Sequence, residues 1–242
     1  MSSDTRNVLK ISGKDRVEFL QGLVTNDVTK GGLIYTALLT PQGKYLADFF
    51  LLDTGEEFLV DVDSSLTASL VQRLNMYKLR ADVAIEETSL RVSNGLGETP
   101  DGAHADPRHP QLGWRSYGES DDTVDLTSLR VEHTIPQSGV ELTPDTYILE
   151  AGFERLNGVD FKKGCYVGQE VTARMKHKTE LRKGLVTVEI SGAAPIGTEI
   201  TNAGKPAGTL YSQAGSQAIA YLRFDRAKGD LNAGDARITA SL

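Results

Sequence analysis

The chain has 242 residues, which at roughly 150 per domain makes one large domain or two to three small ones. Hydrophobic residues make up 39% and charged residues 24%, as in a globular chain with a proper core; no apolar run nears the ~18 residues of a membrane span, and Met1 to Lys10 lacks a signal-peptide core, so the cytoplasm is the expected compartment. Lys plus Arg number 26 against 33 Asp plus Glu, a net −7 that speaks against nucleic acid or an anionic membrane as partner of the whole surface.

Asn7 to Ser12 reads as a strand closed by Gly13. Asp15 with Glu18 three residues on resembles a capping box, and Val17, Leu20, Leu23 and Val24 then share a helical face. Leu33 to Thr40 and Lys44 to Asp53 are β-rich runs around Pro41-Gln42-Gly43, a hairpin with a type I turn. Glu57 to Asp63 is a third strand. Ser64 or Ser65 is the expected cap of a helix with apolar positions Leu66, Leu70, Leu74 and Tyr77, and Val83 to Ser93 returns to strand. Asn94 to Ser120, rich in Gly and Pro, is loop by composition. Beyond Gly184, alternation in Leu185 to Ile190 and short runs at Thr209 to Ser212, Ala218 to Leu222 and Ala236 to Ala240, punctuated by glycines, indicate a small barrel. The expected class is α+β with mainly antiparallel sheet: a body over 1–180 and a barrel over 181–242.

Chemistry concentrates in one segment. Lys162 to Lys183 holds seven basic residues and two acids, leaving −12 for the rest of the chain. The single cysteine, Cys165, lies inside it. One thiol makes no internal disulfide, and no CxxC or HExxH pattern is present to build a permanent metal site. Gly164 and Gly168 bracket Cys165 and Tyr166, allowing a tight turn. Lys162, Lys163 and a helix starting near Gly168 or Gln169 favour the thiolate; the alternative is a small buried residue at a turn. His177 falls at the far end of that helix, so no Cys–His acyl-transfer pair is expected.

Lys163-Gly164-Cys165-Tyr166-Val167-Gly168-Gln169-Glu170 resembles the signature of the YgfZ family, folate-binding proteins that support iron–sulfur enzymes. Phe19 to Val28 resembles that family's amino-terminal segment and Leu39 to Lys44 its first hairpin. The wider superfamily is that of the glycine-cleavage T-protein, an aminomethyltransferase using tetrahydrofolate, and Leu129-Arg130-Val131-Glu132 followed by Ile135-Pro136 resembles its folate segment. The resemblance implies a T-protein-like body of two α+β modules, closed by the barrel. It implies a reactive thiol at Cys165 and a carboxylate at Asp48, with tetrahydrofolate or another reduced folate as cofactor and no permanent metal. Around the folate it sets Asn26, Tyr45, Arg130, Glu132, Lys163 and Tyr166, with Gly168, Gln169, Glu170 and Arg174 from the signature and its helix. A flat, N–H-rich pterin wants apolar walls and a carboxylate, and its anionic tail an arginine fork. The partners implied are folate and iron–sulfur client or carrier proteins, with no membrane. Ala47 stands where the T-protein has a second acid beside Asp48, which weakens the rival reading of a one-carbon transferase. A further rival is an RNA-binding or tRNA-modification factor using the basic segment, which the net charge disfavours.

Overall fold

The computed structural model describes residues 6–177 and 181–241. The chain divides into two compact units, Met1–Val124 with Glu154–Ala173, and Asp125–Phe153 with Arg174–Leu242. The stretch Asp125–Phe153 thus groups with the barrel, and the chain then re-enters the first unit.

In the first unit, β1 (Arg6–Ser12) leads to α1 (Arg16–Gln21), β2 (Leu33–Leu39), β3 (Tyr45–Asp53) and β4 (Phe58–Asp63). Next come α2 (Ser64–Lys78) and β5 (Ala84–Glu87). These strands form one antiparallel sheet in the order β2-β3-β4-β1-β5. Alternation along the strands sorts side chains to two faces. Leu9, Ile11, Phe49, Leu51, Val60 and Val62 pack with Leu20, Leu70 and Leu74 of the helices. Val8, Leu52 and Leu59 pack instead with Val92 and Tyr117 of a second, three-stranded sheet. The main sheet is therefore covered on both sides, which is why β3 reads as a nearly unbroken apolar run.

The second sheet is the main departure from expectation. The expected strand from Val83 to Ser93 is two strands, β5 and β6 (Arg91–Gly95). The expected loop from Asn94 to Ser120 contains β7 (His104–Ala105) and β8 (Trp114–Gly118), paired in the order β6-β8-β7. Most of its glycines and prolines lie between the strands, and its strand residues include a buried cation, Arg115, that hydropathy reads as exposed. Helix capping differs as well. The Asp15 carboxylate makes no cap bond; it accepts from the Asp82 amide at 2.8 Å. Asp63, not Ser64 or Ser65, caps α2, accepting from the Ser65 amide at 2.9 Å.

The second unit holds α3 (Thr127–Glu132) and the closed barrel of β9 (Lys183–Ser191), β10 (Glu199–Asn202), β11 (Lys205–Ala214), β12 (Gln217–Arg223), β13 (Leu231–Ala233) and β14 (Ala236–Thr239). The sequence pattern missed β10 and β13, of four and three residues. Helix α4 (Gln169–His177) runs across the division between the units. Among the described residues, no helix is long and apolar enough to cross a membrane.

Candidate functional site

The segment 157–168 is a strap tied to the first unit along its length. At its start, the Asn157 side chain donates to the Pro107 carbonyl at 2.9 Å, and the Asn157 carbonyl accepts from Asn26 Nδ2 at 2.7 Å. The Thr25 hydroxyl donates to the Gly158 carbonyl at 2.7 Å, and the Asp160 amide donates to the Thr25 carbonyl at 3.0 Å. Lys30 pairs with Asp160 at 2.7 Å. At its far end, Gly168 (φ +84°) lies against the hairpin loop that joins β2 to β3. There Pro41-Gln42-Gly43 makes a turn closed by the Gly43 amide on the Thr40 carbonyl, with Gly43 at φ +75°. A Cβ at 168 would fall 2.6 Å from the Thr40 carbonyl oxygen, and one at 43 would fall 2.8 Å from Val171 Cβ. The two motifs singled out in the sequence therefore interlock through backbone that admits no side chain.

Lys163 is the strap's buried anchor, 7% exposed. Its ammonium donates to the carbonyls of Gln21 (2.8 Å), Val24 and Asn26 (3.0 Å), three donors meeting three acceptors. These carbonyls lie at and just beyond the end of α1, which has no basic residue in its own last turn. Lys163 caps that helix end from across the sequence. Burial pulls the Lys163 ammonium down to about 8, against the opposing pull of Asp27 and Asp160. The charge expected to activate the thiol is thus engaged by backbone carbonyls. Cys165, two residues on, is a free and exposed cysteine, and its neighbours Lys162 and Gly164 are exposed as well. Tyr166 turns inward: it is 7% exposed, its ring is 5.1 Å from the Lys163 ammonium, and burial pushes its phenol up to about 12. Gln169 opens α4, its amide donating to the Tyr166 carbonyl, while Glu170 faces solvent.

Asp48 belongs to a buried polar layer between the two sheets that the sequence reading missed. Its carboxylate accepts from the hydroxyls of Tyr35 (2.9 Å) and Tyr45 (2.6 Å). In the same layer Asp61, fully buried, accepts from Arg6 Nε (2.6 Å), Arg115 Nη1 (2.9 Å) and the Tyr117 hydroxyl (3.2 Å). Asp106 takes both Nε and Nη2 of Arg108. The guanidiniums of Arg6, Arg108 and Arg115 lie 5.5, 4.8 and 4.0 Å from the centre of the Phe50 ring. Three arginines thus face three aspartates. Burial pushes the Asp61 and Asp106 carboxyls up, but the adjacent guanidiniums outweigh it and hold both below the usual range. The signal in the sequence was parity: Arg6 shares a strand face with Val8, and Asp61 with Leu59.

Arg130, Glu132 and Arg174 belong to the second unit. Arg130 is 7% exposed and donates to the Ile135 carbonyl (3.2 Å), Gln137 Oε1 (2.6 Å) and Glu141 Oε2 (3.3 Å). Glu141 in turn accepts from the Gln137 and Ser212 amides, tying this loop to β11. Glu132 and Arg174 are exposed. Lys178 and Glu180 of the basic stretch lie outside the described residues. Among the described residues no three His, Cys, Asp or Glu side chains converge as metal ligands.

Set against a reduced folate, this residue set fits in part. At the pterin end Asp48 offers a carboxylate of the right kind, buried and with both oxygens accepting from the Tyr35 and Tyr45 hydroxyls. The tail end has no matching fork: the Arg130 guanidinium is engaged within its own loop, and the Asn26 and Lys163 side chains bond to backbone.

Two packed antiparallel sheets and a closed six-stranded barrel define an aminomethyltransferase-like fold. A solved structure of the glycine cleavage system aminomethyltransferase T from Bartonella henselae matches with TM-score 0.78 over 99% of this chain and 84% of that one, at 16% identity, a likeness of fold alone. The family described as "CAF17, C-terminal beta-barrel domain" matches residues 182–242. "Iron-sulfur cluster assembly factor IBA57, mitochondrial" from Mus musculus is 30% identical over 95% of this chain and 78% of its own length, and so is the Homo sapiens protein of that name. The chain belongs to the IBA57 family. These relatives are mitochondrial by name, which overturns the cytoplasmic expectation.

Proposed function

We propose that this chain supports the assembly of iron–sulfur clusters in client proteins, and that Cys165 is the group it offers to a partner. The observation that carries the reading is an exposed free thiol on a strap fastened to its unit on both sides of that thiol. Family membership supports the cluster part of the reading. Clusters usually take about four protein ligands, so one thiol serves only where the partner supplies the others. The cluster is then cargo, held briefly and jointly.

The finer part of the proposal is a YgfZ-type chain that binds a reduced folate, with Asp48 toward the pterin. Bound there, a reduced folate would supply one-carbon or reducing chemistry next to the protein. The test has two arms. Cells lacking this protein receive wild type or Cys165→Ser, and the activity of a [4Fe–4S] enzyme is assayed beside the amount of folded variant. The reading expects Cys165→Ser to accumulate normally while enzyme activity falls; full restoration ends the thiol role. Calorimetry of the purified protein with tetrahydrofolate decides the second arm, and no heat of binding ends the folate part alone.

A further inference from the structure

We infer that Lys163 is the positioning residue for Cys165: it fixes the strap by capping the end of α1 and does not act by activating the thiol electrostatically. This rests on the reading of Cys165 as the functional group. The argument is one of commitment. An ammonium has three N–H donors and no acceptor, and all three meet backbone carbonyls, of Gln21, Val24 and Asn26. Those partners are 142, 139 and 137 residues away in sequence, so the bonds register one part of the fold on another. The strap's other ties agree in direction. Asp160 accepts from the Lys162 and Lys163 amides (2.6 and 3.2 Å), shaping the turn that sends the lysine side chain inward. The Tyr166 ring follows it at 5.1 Å. Cys165 lies between these two inward residues and is exposed. Lys163 and Tyr166 pointing in leave Gly164 and Cys165 pointing out, which presents the thiol.

The charged groups that face the Lys163 ammonium are Asp27 and Asp160, which favour its charge, and Lys30, which opposes it. Lys30 is itself paired to Asp160. This local balance leaves the ammonium directed at backbone.

Lys163→Met in the full chain separates positioning from activation. Two quantities are measured: hydrogen exchange of the amides at 159–168, and the pH profile of Cys165 alkylation by iodoacetamide. Positioning expects amide protection to fall by roughly tenfold or more, while the midpoint of the alkylation profile stays within about 0.3 pH unit of wild type. Activation expects the reverse, an upward-shifted midpoint with protection unchanged, and that result overturns the inference. So does a variant unchanged in both. Should Lys163→Met fail to fold, Lys163→Arg decides. It keeps a positive charge beside the thiol, but a planar guanidinium does not reproduce three ammonium donors converging on the Gln21, Val24 and Asn26 carbonyls; reduced protection at 159–168 with an unshifted midpoint is expected, and wild-type exchange overturns the inference. If wild type itself proves dispensable for iron–sulfur enzymes, the functional reading fails while the exchange result still stands.

Discussion

The interlock between the hairpin and the strap makes the two glycines around Cys165 unequal, and alanine at each position tests it. At Gly168 the backbone is left-handed (φ +84°), and a Cβ would fall 2.6 Å from the Thr40 carbonyl oxygen, 3.1 Å from Leu39 Cβ and 3.2 Å from Gly43 Cα. Carbon–oxygen contacts close at about 3.3 Å, so strap and hairpin must part by roughly 0.7 Å. The obstacle is backbone, which cannot swing aside as a side chain can. Left-handed geometry costs a residue with a Cβ about 1–2 kcal/mol, and overpacking adds about 1–3 kcal/mol. The sum, about 2–5 kcal/mol, lowers Tm by roughly 4–20 °C in a chain of this size. At Gly164 a Cβ meets nothing within 4 Å, and the residue is exposed without a left-handed φ. Gly164→Ala should therefore stay within about 0.5 kcal/mol of wild type. Thermal melts and urea titrations of both variants provide the comparison. A Gly168→Ala protein melting within a degree of wild type, or a Gly164→Ala protein falling as far as Gly168→Ala, refutes the interlock.

Asp61→Asn removes the charge on which Arg6, Arg115 and Tyr117 converge. Breaking a buried pair typically costs 3–5 kcal/mol, so a urea-derived loss of about that size is expected and one below about 1 kcal/mol would contradict the arrangement. The same group sets an acid dependence. Because the Asp61 and Asp106 carboxyls sit below their ordinary value when folded, their stabilisation is present above about pH 4 and is lost as pH falls through the folded values. Asp61→Asn should flatten the decline of Tm between about pH 5 and 3; an unchanged slope means the group contributes nothing there. Arg130→Ala leaves Glu141 buried without its guanidinium, and a stability loss of about 3–5 kcal/mol should appear without any folate present. A variant as stable as wild type would instead return Arg130 to the role of a ligand fork.

Much of the first unit was legible because its signals are local. Pro41-Gln42-Gly43 between two β-rich runs gives the hairpin, and the spacing of Leu70 and Leu74 gives α2. The glycine-punctuated end gives the barrel. What stayed hidden depends on partners far along the chain. Strand β8 reads as loop until Arg115 meets Asp61, 54 residues away. Asp15 has the sequence of a cap, but its carboxylate is taken by the Asp82 amide, 67 residues on. The site followed the same division. The motif around Cys165 stands out as sequence, and the structure leaves its thiol exposed. Lys163 was read by proximity in sequence as a charge beside a thiol, whereas burial and three carbonyls assign its ammonium to the end of α1.

The strap's ties also explain how an exposed loop can be held still. Closing a long loop costs conformational entropy that grows only as the logarithm of its length. The bonds from Asn26 to Asn157, from Thr25 to Gly158 and from Lys163 to Gln21 all close loops of 131 to 142 residues. Once one of them forms, the others close only a few additional residues, so each later tie adds its bond at little further entropic cost. Ties of this kind reinforce one another; they precede Cys165 in sequence, and beyond it Gly168 packs against the Thr40 carbonyl. The thiol is thereby left in solvent while the backbone that carries it is fixed from beneath, which is what a group offered to a second protein requires.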